Sequence, residues 1–212
     1  MGIVERKQRH KEDLRMRILE AAKKLFVQEG YEATSIRKIA KEIEFSPTTI
    51  YLYYKDKNDI MYALHKEGFT MLREKFQVLM SVEHPYERLK AIGKTYIEFG
   101  LHNPEFYEVM FIMKEPMAFI DSNCAEDEWP EGQRVFDFLE QTISDCQEMG
   151  YFKGMPAQVL ALQAWLLVHG LVCAYISRHL IKLSTKLNPD IEVVDLVNHV
   201  FQSYVYFLEK TK

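Results

Sequence analysis

Cysteine, proline and glycine are scarce in this 212-residue chain, at three, seven and nine residues. The three cysteines, Cys124, Cys146 and Cys173, are odd in number and widely spaced. That pattern excludes a disulfide framework and a CxxC-type zinc site. Buried, reduced thiols are the ordinary state of such residues. A redox-sensing thiol would best suit Cys124, yet its neighbours Glu126, Asp127 and Glu128 would raise its pKa and blunt its reactivity. With so few glycines, most at expected helix ends, no loop cradles a nucleotide. No HExxH, nucleophile-elbow or DxD-type spacing occurs, so an enzyme is not expected and no catalytic residue, metal site or cofactor is assigned. Long apolar runs are also lacking. The densest, Val159 to Ile176, is interrupted by Gln163, His169 and Gly170, so no membrane span is expected. The N-terminus carries Glu5, Arg6, Lys7, Arg9 and Lys11 in place of an apolar signal segment, and Arg6 stands where a myristoylation motif needs Ser or Thr. A cytoplasmic protein is expected.

What remains reads as helix throughout. No apolar alternation of period two with hairpin turn signals is present, so the expected class is all-α. Leu14, Ile18, Ala21, Ala22, Leu25 and Phe26 follow the 3.6-residue period of a first helix over about 10–29, stopped by Gly30. Ile36, Ile39, Ala40 and Ile43 give a second, short helix a buried stripe. Glu44-Phe45 is a turn. Ser46 then suits an N-cap and Pro47 a first helical residue, because proline's missing N–H would have had no intrahelical partner. The third helix is short and polar-aromatic, with Thr48, Thr49, Tyr51 and Tyr53. Two helices joined by a tight turn, the second presenting small polar and aromatic groups, suit a reader of the DNA major groove.

A long fourth helix is expected from about Asp56, with Asp59 three residues on, toward Ser81. Further helices are expected over about 85–102, 104–114, 131–149, 156–183 and 190–210, bounded by proline, glycine and asparagine signals and making about nine in all. The acidic, proline-bounded stretch 115–130 reads as a loop or lid.

The net charge of −4 conceals an asymmetry. Residues 1–57 carry 13 Lys and Arg against 9 Asp and Glu, and the remainder 14 against 22. A basic head on an acidic body orients toward a polyanion, although a difference of this size also arises by chance.

The run from Leu25 to Ile60, LFVQEGYEATSIRKIAKEIEFSPTTIYLYYKDKNDI, closely resembles the DNA-binding domain of TetR-type bacterial transcription regulators. Phe26, Gly30-Tyr31, Thr34-Ser35, Ile39-Ala40, Ser46, Ile50-Tyr51, Tyr54, Lys57 and Ile60 keep the family's order and spacing. Pro47 departs from it, standing where many relatives carry Lys or Arg. The resemblance implies a three-helix helix-turn-helix head over residues 1–57 and a helical bundle for ligand binding and dimerisation over 58–212. It also implies a double-stranded DNA operator and a small-molecule effector as partners. Arg37 sits where the family touches a base or phosphate. Thr34 and Ser35 offer hydroxyls and backbone N–H groups to phosphate. Ser46, Thr48 and Thr49 begin the recognition helix, Tyr51 and Tyr53 reach phosphates, and Lys57 clamps the DNA backbone. Tyr54 and Ile50 pack inside the head. For Tyr51 and Tyr53 a plain packing role stays open, and the tract Arg6, Lys7, Arg9 and Lys11 is either an arm toward DNA or a solvated tail.

In the body, Met and aromatic residues are mostly plain core. Tyr96, Phe99, Met110, Met113, Trp129, Trp165 and His169 are the candidates for a flexible, mostly apolar effector site. Trp165, His169 and Gly170 in AWLLVHGLV resemble the family's Trp-His-Gly subgroup, the Gly allowing another element to come close; His169 is equally readable as a core or interface residue. The last two long helices carry more apolar surface than one core face needs: Leu160, Leu162, Leu166, Leu167 and Leu171, then Val193, Val197, Val200, Phe201, Tyr204, Phe207 and Leu208. That excess suits a two-fold dimer interface. The expected function is therefore a cytoplasmic, homodimeric repressor released from a palindromic operator by an effector. A ligand-independent DNA-binding repressor and a helical protein-interaction adaptor are the rival readings.

Overall fold

The structure is a computed structural model that describes residues 2–123, 129–187 and 190–210. Cys124 with its acidic neighbours and the Asn188-Pro189 break lie outside the described residues. The described chain is all-helical. The elements are α1 (Ile3–Glu29), α2 (Ile36–Glu42), α3 (Pro47–Tyr51), α4 (Lys57–Leu79), α5 (Pro85–His102), α6 (Pro104–Tyr107), α7 (Glu115–Asn123), α8 (Pro130–Glu148), α9 (Ala157–Ile176), α10 (His179–Leu187) and α11 (Val193–Glu209). A π-helical turn, Glu108–Ile112, follows α6.

Three expectations change. Helix α1 begins at Ile3, so the basic tract from Arg6 to Lys11 is helical. Residues 115–123 form α7 and not a loop: Pro116 lies in the first turn, where its missing N–H costs nothing. Phe119 of α7 stacks on Tyr62 with ring centroids 4.9 Å apart. The helix expected over about 156–183 stops at Ile176. Arg178 takes a left-handed φ of +62°, and α10 starts at His179. The apolar period continues across this break, so the sequence pattern conceals it. These divisions raise the helix count above the expected nine.

The chain forms two compact units. Residues 1–69 and 105–129 make the first, and 70–104 and 130–212 the second, with α4 contributing to both. In the first unit Ile18, Ala22, Phe26, Ile39, Ile50, Ile60 and Leu64 are almost wholly excluded from solvent. Gly68 lets the π-helical turn come close: a Cβ there would stand 2.4 Å from Met110 Sδ. In the second unit α5, α8 and α9 pack on one another. Buried Arg88 of α5 ties this group together, donating to Thr142 Oγ1 at 3.1 Å and to the Val82 carbonyl at 3.2 Å and pairing with Asp145. Tyr86 stacks flat on Tyr151 at 4.9 Å and donates its hydroxyl proton to the Val205 carbonyl of α11. Phe201 of α11 presses on Gly93, where a Cβ would lie 2.8 Å from its ring.

Candidate nucleic-acid interface and effector site

The helix-turn-helix is built from its caps outward. Ser35 caps α2, its Oγ accepting from the Lys38 N–H at 3.2 Å. Ser46 caps α3, its Oγ accepting from the Thr49 N–H at 3.2 Å. Between them the chain turns at Glu44, whose φ of +60° is a left-handed conformation. Arg17 of α1 closes the end of α2 by donating to the Ile43 carbonyl at 3.0 Å, with its guanidinium 5.2 Å from the Phe45 ring centroid. Ile50 and Tyr54 are buried, and the Tyr54 hydroxyl accepts from Arg15 Nε at 3.1 Å. These contacts fix the angle between α2 and α3.

The candidate DNA-facing residues fall into two groups. Ser35, Arg37, Ser46, Thr48 and Tyr51 are exposed, and Thr49 and Tyr53 are half-buried. Thr34 and Lys57 are engaged inside the head. Thr34 is buried, and its hydroxyl donates to the Gly30 carbonyl at 2.8 Å. The Lys57 ammonium donates to the Tyr31 and Thr34 carbonyls at 2.8 and 3.2 Å and sits 3.8 Å from the Tyr31 ring centroid. It fastens the α1–α2 loop to the start of α4, an arrangement that differs from the expected clamp on DNA. Burial pushes the Tyr31 phenol up to about 12, with Asp56, Glu115 and Glu32 adding to the shift, so it stays protonated and donates to Asn58. Asp56 caps α4 as expected, accepting from the Asp59 N–H at 2.9 Å. Leu52, absent from the expected set, is 75% exposed directly after α3. Its apolar type gave no polar-contact signal.

The effector candidates divide between the units. Met110, Met113 and Trp129 lie in the first. There Met110 is buried, and Trp129 Nε1 donates to Nε2 of the fully buried His65 at 3.1 Å. His65 is a partner that local spacing could not reveal, 64 positions away from Trp129. Tyr96, Phe99, Trp165 and His169 lie in the second unit. Trp165 stacks on His169 at 4.7 Å, and its Nε1–H donates to the Tyr96 hydroxyl oxygen at 3.1 Å. Tyr96 Oη is in turn 3.1 Å from His169 Nδ1, and Cys173 Sγ is 3.4 Å from Nε2. Burial lowers the His169 pKa, which favours the neutral ring. Nδ1 then accepts the Tyr96 proton and Nε2–H points to sulfur. Phe99 is buried in the same unit. Gly170 is exposed, and among the described residues no other element comes within 4 Å of where its Cβ would stand, so the expected close approach is not seen among them. Burial also pushes the Cys146 thiol up to about 12, which leaves it unreactive. No group of three or more His, Cys, Asp or Glu among the described residues is arranged to hold a metal ion.

On the candidate dimer helices, Leu160, Val197 and Phe201 are core residues and leave the expected interface set. Leu162, Leu166, Val200 and Phe207 are exposed. Among the described residues, Ala157–Ile176 is long and apolar enough to cross a membrane by length and composition, contrary to the expectation that no run qualifies. Gln163, His169 and Gly170 interrupt it without adding charge.

Comparison with known proteins follows the same outline. Residues 18–64 match the family model described as bacterial regulatory proteins, tetR family. Residues 89–197, just over half of the chain, match the tetracyclin repressor-like C-terminal domain. The chain belongs to the TetR family of bacterial regulators. The HTH-type transcriptional regulator SAB2452 of Staphylococcus aureus is 33% identical over 125 residues, which cover 58% of this chain and 64% of that relative. The match thus spans less than two thirds of the relative's length. Among solved structures, the fatty acid degradation regulator FadR of Bacillus halodurans superposes with a TM-score of 0.70 at 17% identity, covering 89% of this chain and 92% of its own. AibR in complex with isovaleryl coenzyme A and operator DNA superposes with a TM-score of 0.62 at 21% identity, covering 88% and 95%. At these identities the two structures speak for the fold alone.

Proposed function

We propose that this TetR-family chain is a cytoplasmic, homodimeric repressor that binds a palindromic DNA operator and is released by a small, mostly apolar effector. The observation that carries the reading is the capped helix-turn-helix, with Thr48 and Tyr51 exposed on α3 and Arg37 on α2. Residues 1–57 read DNA, and residues 58–212 receive the effector and form the dimer. Arg37 contacts a base or phosphate, Thr48 and Thr49 meet base edges, and Tyr51 and Tyr53 reach phosphates. Ser35 and Ser46 set the two helices, and Lys57 holds the head together. The exposed apolar residues of α9 and α11 cover one another across the two-fold axis. Such symmetry spaces the recognition helices roughly 34–36 Å apart, one turn of DNA.

The Trp165–His169–Gly170 pattern supports placement in the Trp-His-Gly subgroup. The linked Tyr96, Trp165 and His169 mix apolar rings with a few polar atoms, as small-molecule sites do. Phe99, Met110, Met113 and Trp129 remain candidates for lining residues. The isovaleryl coenzyme A bound by AibR supports an acyl-type effector. Release requires only that the effector bind the DNA-incompetent conformation better than the competent one. The test is binding of the purified protein to its own upstream intergenic DNA across a salt series, against a scrambled duplex. Tight binding to the native duplex alone, with a steep salt slope, is expected. Equal, weak binding to both duplexes, together with unchanged function in Arg37→Ala and Tyr51→Ala, would overturn the reading.

A further inference from the structure

The recognition helix is unusual in what it offers to a base edge. From Pro47 through Leu52 it holds Pro, Thr, Thr, Ile, Tyr and Leu. None of these can make the two-point contacts by which Arg or Lys select guanine and Asn or Gln select adenine, and none carries the carboxylate by which Asp or Glu select cytosine. The hydroxyls are partly engaged already. Ser46 Oγ accepts the Thr49 N–H and lies 3.0 Å from Thr49 Oγ1, so these two groups serve each other. Thr48, Tyr51 and Leu52, spaced i, i+3 and i+4, share one face of the helix. Ile50, pointing away from that face, is fully buried. Tyr51 is 57% and Leu52 75% exposed. The outward face therefore holds the hydroxyl and methyl of Thr48, the phenol of Tyr51 and the isobutyl group of Leu52.

A lone exposed leucine needs no explanation on an ordinary surface. This one follows Thr48 and Tyr51 on the helix of a DNA reader, and exposed Arg37, Lys41 and Lys55 supply cations from the same head. The apolar mark in the major groove is the C5-methyl of thymine. Of the four bases only thymine meets Leu52 with a methyl group, so guanine and adenine lose that apolar contact. Cytosine would lose the methyl contact and strand its amino group.

We propose that the chain reads each half-site through thymine C5-methyl groups, with Leu52 as a specificity-determining residue beside Thr48, while the Tyr51 hydroxyl reaches a phosphate. This inference rests on the DNA-binding function proposed above. Its test begins by selecting duplexes from a random pool with the full-length protein. Each thymine of the selected motif is then replaced in turn by deoxyuridine, which removes only the methyl. Binding is measured for the wild type and for Leu52→Ala, whose position at the surface leaves the fold intact, as a matching thermal melt checks. At a contacted thymine the expected loss is about fourfold per methyl, the worth of one buried carbon. At one thymine per half-site that loss should vanish in Leu52→Ala while persisting at the others. A 5-methylcytosine placed at that position should bind the wild type better than cytosine does. Selection that yields no motif would overturn both this inference and the DNA-binding reading. A clear motif whose deoxyuridine substitutions have no effect, or the same effect in both proteins, would overturn this inference and leave the DNA-binding reading standing.

Discussion

Of the stretches that hold large apolar side chains in solvent, α3 with Leu52 after it and α9 with Leu162 and Leu166 make the sharpest contrast. Their side-chain chemistry is similar, and their charge surroundings are not. Exposed Arg37, Lys38, Lys41 and Lys55 lie in α2 and just beyond α3. Helix α9 holds no charged residue in its 20 positions. A polyanion needs cations near the apolar contact, whereas a second copy of the same face needs only to match itself. The type of partner is thus written less in the exposed hydrocarbon than in the charge beside it.

Introducing charge on α9 should have the largest effect. Leu166→Glu would bring two carboxylates together across a two-fold axis, and like charges juxtaposed at an interface cost several kcal/mol. Sedimentation should show a monomer at concentrations where the wild type is a dimer, with operator binding lost as well. An unchanged dimer would remove α9 from the interface. Gly93→Ala should act on the core without touching either exposed stretch. A Cβ 2.8 Å from the Phe201 ring overpacks α5 against α11, and about 1–3 kcal/mol of stability should be lost in a denaturant titration. Oligomeric state should survive wherever the protein stays folded. Arg37→Ala should weaken operator binding by about 1–3 kcal/mol while leaving the dimer unchanged, which separates the two stretches by function.

The smallest effect concerns His169. Its folded-state pKa lies below the ordinary value of 6.5, so the unfolded chain takes up a proton that the folded chain refuses. Stability should therefore fall as pH drops below about 6.5. Melting temperatures measured from pH 7.5 down to 5 for the wild type and His169→Asn should differ in slope, with the variant flatter. Parallel curves would show that burial of this ring does not govern the acid limb.

Much of the head was readable from sequence because its determinants are local. Ser35, Ser46 and Asp56 act on N–H groups three residues away. The pairing of Trp165 with His169 follows from their four-residue spacing on one helix. What sequence hid depends on distant partners or on one backbone angle. Thr34 and Lys57 look like ready phosphate ligands until the loop carbonyls that engage them are seen. Trp129 reaches His65 across 64 positions. Arg178 ends α9 through its φ of +62°, which interrupts no hydrophobic period. The start of the 115–130 stretch suggested a loop, yet Pro116 needed only to fall in the first turn for α7 to form over Glu115–Asn123.

The fastening of Lys57 also gives the head a chemical signature. Its amine is turned inward against two carbonyl oxygens and a ring face, while Lys41 and Lys55 stand open to water. Under gentle reductive methylation the folded protein should label at Lys41 and Lys55 well before Lys57. The order of labelling would then report, without any DNA present, whether the loop between α1 and α2 is still tied down.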